Sequence, residues 1–136
     1  MGDKRVMFNY EQFKSHSGLT LDWKIDCDTL SYDDLECLAK LISKRFSFGK
    51  VVSVPTGGDK LAQHLNKYID VNSSGVIVVD DVLTTGGSLR PYLEDDRQDI
   101  FGVVIFSRIN KYQRHIINLR NVYPIFELSN EFGDLK

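Results

Sequence analysis

Cysteine is scarce. Cys27 and Cys37 are the only two in 136 residues, too few and too widely spaced for a disulfide framework or a thiolate metal site. Cys37 falls in an amphipathic stretch and is expected to be buried, and reduced thiols with a cytoplasmic address are the default expectation. Long apolar runs are missing: the longest reach about six residues, against the ~20 a bilayer-spanning helix needs. The N-terminus, Met-Gly-Asp-Lys-Arg-Val, lacks the apolar stretch of a signal peptide. No membrane partner is therefore expected. Charge of one sign is missing too. Seventeen Lys and Arg stand against nineteen Asp and Glu, for a net charge of -2, so nothing draws the chain as a whole toward nucleic acid. The three prolines are scattered, and no repeat or linker rich in Pro, Gly or Ser breaks the chain. Residues 1–136 read as one domain.

What is present is an ordinary core. Hydrophobic residues make up 42% of the chain, which excludes disorder as a description of the whole. Residues 6–28 are irregular and aromatic-rich, and predict short extended pieces or turns. Ser31 reads as an N-cap with Asp34 in a capping-box position. Leu35, Leu38, Ile42 and Phe46 follow at helical spacing, with Gly49 as the stop. Residues 50–54 form a β-branched run expected to be a buried strand. A helix carrying Leu61, Ala62, Leu65 and Ile69 comes next, then an apolar strand at 76–79. A short helix is expected from Leu89 to about Asp95, with Pro91 in its first turn. Strands are expected at 102–106 and 122–126. The polar stretch 110–121 between them is either a helix or a loop, with Lys111, Arg114 and His115 on a solvated face. This alternation predicts an α/β fold with about four mostly parallel strands flanked by helices.

Parallel sheets place ligands at the carboxyl ends of their strands. Two such ends here carry glycine pairs, Gly57-Gly58 and Gly86-Gly87, each leading into a helix. Glycine lets backbone amides approach an anion closely, and Thr84, Thr85 and Ser88 add hydroxyl donors. Two cradles side by side suit a ligand with two phosphate groups. Asp80 and Asp81 would repel phosphate, so they suit hydroxyls, a Mg2+ ion or a developing positive charge. A sugar with a phosphate at one end and vicinal hydroxyls fits this set.

The string Val-Ile-Val-Val-Asp-Asp-Val-Leu-Thr-Thr-Gly-Gly-Ser at 76–88 resembles the 5-phosphoribosyl 1-pyrophosphate (PRPP) signature of type I phosphoribosyltransferases. The resemblance implies their compact Rossmann-like core. It also implies that Thr84, Thr85, Gly86, Gly87 and Ser88 hold the 5'-phosphate. Asp80 and Asp81 would be the catalytic acids, which hold the ribose hydroxyls and bear indirectly on Mg2+, the implied cofactor. VSVPTGGDKLA at 52–62 resembles the family's pyrophosphate loop, which places Thr56, Gly57, Gly58, Asp59 and Lys60 against the leaving group. A non-proline cis peptide is expected there, near Thr56-Gly57.

The similarity runs on toward orotate phosphoribosyltransferases, through FKSHSGLTLDWKID at 13–26 and GVVIFSR at 102–108. It implies base contacts from Arg108, His16, Trp23 and Lys24, although each of the last three has a plain reading as a surface or core residue. Ser107 stands where the family has aspartate, and His16 where it has lysine. Only residues 70–75 occupy the place of a further strand and a flexible lid. The resemblance implies transfer of phosphoribosyl from PRPP to orotate by a homodimer. A binding module that has lost catalysis, or a transferase acting on another base, are the competing expectations.

Overall fold

In the computed structural model, residues 27–94 and 99–127 are described, with the backbone alone of residues 8–9, 13–14, 20–21, 24–25 and 28. Four two-residue strands lie near the N-terminus: β1 (Phe8–Asn9), β2 (Phe13–Lys14), β3 (Thr20–Leu21) and β4 (Lys24–Ile25). They pair antiparallel, β1 with β4 and β2 with β3.

Helix α1 (Tyr32–Arg45) starts as expected. The Ser31 hydroxyl accepts from the Asp34 amide, and the Asp34 carboxylate accepts from the Ser31 amide. Leu35, Leu38, Ala39 and Ile42 form its buried face. The helix stops at Phe46, whose backbone is already extended, so Gly49 belongs to the turn beyond and not to the stop. Cys37 is exposed. One position away from the buried Leu38, it falls outside the face that the apolar spacing defines.

The main sheet has four parallel strands in the order β5 (Lys50–Ser53), β6 (Val76–Leu83), β7 (Ile100–Ser107) and β8 (Val122–Glu127). β6 and β7 are central and almost wholly buried, which is why they read as continuous apolar runs. One face carries Ile77, Val79, Val103 and Ile105 and meets α1 and α2 (Asp59–Leu65) through Leu38, Ile42, Leu61 and Leu65. The other carries Val76, Val78, Ile100 and Val104 and meets Leu89 and Leu93 around α3 (Arg90–Leu93), and Ile117 and Leu119 after α4 (Lys111–Ile116). The stretch 110–121 thus includes a helix, started by a capping box between Asn110 and Gln113. Arg114 is buried, unlike the solvated residue expected; it donates to the Ile109 carbonyl and the Glu127 carboxylate, both at 2.9 Å.

The strands progress across the sheet in one direction. The first crossover lies on one face and the next two on the other, so the β5–α2–β6 connection has the opposite hand from its successors. Parallel crossovers share one hand almost without exception. A doubly wound sheet usually changes faces by reversing direction at a switch point. Here the direction does not reverse: a 3-10 turn (Asn66–Tyr68) and residues 69–75 lead from α2 straight to the neighbouring strand, leaving β5 at the sheet edge. No helix among the described residues is long and apolar enough to cross a membrane.

α1 and α2 are also tied by a polar cluster. Glu36 accepts from Lys67 Nζ at 2.6 Å, His64 Nδ1 at 2.8 Å and the Tyr68 hydroxyl at 2.9 Å. His64 is buried against the Tyr32 ring, a structural histidine as the sequence suggested. The Lys67 bond first, then those from His64 and Tyr68, holds the Glu36 carboxyl down at about 2, from an ordinary 4.5. Its folded pKa lies below its unfolded one, so its contribution is full above about pH 5 and is lost as pH falls toward 2. We expect Glu36→Gln to melt below wild type at pH 7 and together with it near pH 2, as read by thermal melts across that range.

Candidate functional site

The site lies at the carboxyl edge of β5, β6 and β7. β5 ends at Ser53, and residues 54–58 turn the chain into α2. The peptide between Pro55 and Thr56 is cis, one bond before the position expected. The turn is closed from within: the Gly58 amide donates to the Val54 carbonyl at 2.9 Å, and the Asp59 amide to the Thr56 carbonyl at 3.1 Å. The Ser53 hydroxyl donates to the Asp59 carboxylate at 2.5 Å. Of the five residues assigned to this loop, Asp59 therefore faces its own strand, and two amides are already used. What remains for a ligand is the amides of Thr56 and Gly57, the Thr56 hydroxyl and the exposed Lys60.

β6 is longer than the sequence suggested. Asp80 and Asp81 are strand residues, not loop residues, and Asp80 lies opposite Val104. The period-two pattern breaks at this pair. Val79 and Val82, three positions apart, pack into the same cluster, as do the adjacent Ile105 and Phe106 opposite. The Asp80 carboxylate accepts from the Asp81 amide, and the Asp81 carboxylate from the Val82 amide, both at 2.8 Å. Asp80 is only 6% exposed. Burial first, and the adjoining Asp81 carboxylate second, push its pKa up to about 7.

After Leu83 the chain forms an open hollow lined by Asp80 and residues 82–89. Gly86 has φ +88, in the left-handed region that glycine enters without penalty. No backbone acceptor among the described residues takes the amides of Thr85, Gly86 or Ser88, and Thr84, Thr85 and Ser88 are exposed. The hollow is thus lined with donors and suits an anion of phosphate size. The helix beyond it, α3, is a single turn, shorter than expected, with Pro91 near its start.

The two loops meet. A Cβ at Gly58 would stand 2.2 Å from the Val79 carbonyl oxygen, and one at Gly57 within 2.7 Å of three atoms of the Asp81 carboxylate group. The end of β7 joins them, because the Arg108 amide donates to the Leu83 carbonyl at 2.9 Å. Ser107, in the place of an aspartate, is buried and folds onto Ile109, donating to its carbonyl and accepting from its amide. His16 and Trp23 lie outside the described residues, as does the Lys24 side chain; the Lys24 backbone pairs with Asn9. Arg90 escaped the sequence reading. Its amide donates to the Gly86 carbonyl, and its guanidinium lies beside that glycine. An arginine two positions past the glycine-rich loop was the available signal.

Among the described residues, no three acidic, His or Cys side chains converge on a metal position. Two carboxylates beside a donor-lined hollow nevertheless fit Mg2+, which usually keeps waters and binds through one or two carboxylates together with substrate phosphates.

No protein-family model matches the sequence, and no curated protein matches it closely. Solved structures do match. The chain aligns with the UMP synthase of Leishmania donovani with a TM-score of 0.69 at 15% identity, over 90% of its own length and 34% of that chain. With the orotate phosphoribosyltransferase from Aeropyrum pernix the TM-score is 0.64 at 21% identity, over 90% and 89% of the two chains. With the APRTase from Giardia lamblia it is 0.62 at 15% identity, over 86% and 92%. The chain thus spans about a third of the UMP synthase and most of the other two. It has the phosphoribosyltransferase fold, the α/β core of parallel strands that the sequence resemblance implied.

Asp80's pKa is higher folded than unfolded, so its ionised form opposes folding. The cost is absent below about pH 4, grows as pH rises and is complete above about 7. Asp80→Asn should therefore raise the melting temperature by several degrees at pH 8 and leave it unchanged at pH 4. Calorimetric scans at the two pH values check this.

Proposed function

We propose that this chain is a phosphoribosyltransferase that binds PRPP and transfers its phosphoribosyl group to a nucleobase, with orotate the favoured acceptor. The observation that carries the reading is the meeting of the two loops at one sheet edge, with Asp80 and Asp81 between them. Phosphate donors on one side, acids in the middle and a second glycine turn on the other match the order of groups along PRPP.

In this reading the 5'-phosphate sits in the hollow at 84–88, held by the amides of Thr85, Gly86 and Ser88 and the hydroxyls of Thr84, Thr85 and Ser88. Asp80 and Asp81 accept hydrogen bonds from the ribose hydroxyls. They also stabilise the positive charge that grows on the ribose ring as the bond from C1 to pyrophosphate breaks and the bond to the base nitrogen forms. Thr56, Gly57 and Lys60 receive the pyrophosphate; Gly58 brings the loop close, and Asp59 holds it in shape. Arg108 contacts an anionic group on the base, with His16, Trp23 and Lys24 as further base contacts. Asp80 and Asp81 would bear indirectly on Mg2+, which would supply neutralisation of leaving-group charge. The protein works as a cytoplasmic homodimer.

A second reading is a PRPP-binding module without catalysis. It is favoured by residues 69–75, which run directly from the 3-10 turn into β6 and leave no segment there to close over the reacting atoms.

The test is pyrophosphate release from PRPP with Mg2+, with and without orotate. The transferase reading expects orotate-dependent release. It also expects Asp80→Asn with Asp81→Asn to lower turnover at least ~10-fold, about 1.4 kcal/mol of barrier, with the fold intact. Binding of PRPP without release in the presence of any nucleobase would decide for the module.

A further inference from the structure

Gly57 and Asp81 belong to different loops, yet nothing separates them. A Cβ at Gly57 would lie 2.5 Å from Asp81 Oδ1, 2.6 Å from Cγ and 2.7 Å from Oδ2, closer than a Cβ approaches any atom. The carboxylate thus lies flat against the Gly57 backbone. The same Oδ1 accepts from the Val82 amide at 2.8 Å. It is thus tied to its own strand and abuts the neighbouring loop. Gly58 brings the loop this close: its Cα faces the Val79 carbonyl and the Asp80 Cα, with no room for a side chain. The turn is internally closed by its own hydrogen bonds and by the Ser53–Asp59 clasp, so it presents a firm surface. Gly57 itself is not in the left-handed region, where Gly86 is found among the described glycines. A positive φ therefore does not stand against an alanine here, and the three atoms nearest its Cβ all belong to the Asp81 carboxylate.

We propose that Gly57 is a positioning residue for Asp81. The bare backbone of the first loop sets where the carboxylate stands, so residue 57 governs recognition at the second loop, where it touches no ligand. With the site read as above, the affected ligand is a ribose phosphate held by the acidic pair and the hollow at 84–88.

The test is a cycle of Gly57→Ala, Asp81→Ala and the double variant in the full chain. Ribose 5-phosphate affinity is measured by calorimetry with Mg2+. Independently of any ligand, the Asp81 side-chain carboxyl carbon is followed by NMR. Gly57→Ala is expected to shift the Asp81 carboxyl signal and weaken ribose 5-phosphate binding by about tenfold. In the Asp81→Ala background, where the obstructing atoms are gone, it should change binding by less than about twofold. Equal losses in both backgrounds would overturn the proposal, because Gly57 would then act on general loop structure. If wild type binds no ribose 5-phosphate, the functional reading fails and the carboxyl signal still decides: a shift in Gly57→Ala sustains the positioning role, and an unmoved signal rejects it. The double variant also separates misfolding from displacement, since it lacks the clash.

Discussion

The carboxyl edge of this protein depends on how closely one turn approaches one strand. Gly57 and Gly58 lie against β6 at a separation that excludes any Cβ, with the Val79 carbonyl against one and the Asp81 carboxylate against the other. Were the turn a side chain's width farther out, the two donor-bearing loops would be separate features of a sheet edge. At contact they bracket the acidic pair. The turn keeps its shape through bonds that use up two of its amides and the Asp59 carboxylate, so rigidity comes at the expense of donors. The loop holds fewer groups for a ligand than its sequence advertises, and holds them more firmly.

The acidic pair shows the same tension. Asp80 is buried where its charge is disfavoured, and the adjoining Asp81 adds to the difficulty. Such a residue weakens the fold at neutral pH, which marks it as a candidate for a functional site. The protein's other acidic focus behaves oppositely. Glu36 stands among Lys67, His64 and Tyr68, and its charge is favoured. One carboxylate helps to hold α1 and α2 together. The other is placed at the edge of the hollow, where a ligand's hydroxyls or a cation would relieve it.

The topology explains why the arrangement is small. α2 leads directly into the strand beside the one it left, with a hand opposite to that of the next two crossovers. This places β5 at the sheet edge and keeps its turn adjacent to the end of β6. The likeness to solved phosphoribosyltransferases holds over most of the chain at 15–21% identity, so what it shows is a shared path of the backbone.

Local rules were legible in the sequence. The Ser31 cap, the apolar face of α1, the buried strands and both glycine loops follow from spacing and from the limits of backbone conformation, which act over a few residues. Distance in space was not legible. The sequence predicts that Asp59 belongs to the ligand loop, but only the fold turns its carboxylate onto Ser53. Arg114 reads as a surface cation until β8 brings Glu127 beside it, and Cys37 sits one position off the face that buries its neighbours. The contact of Gly57 with Asp81 joins residues 24 positions apart. Composition and periodicity describe a segment's own preferences. Which segments meet is fixed by the pairing of β5 with β6 and by packing on the two sheet faces, and it is there that two unremarkable turns become one site.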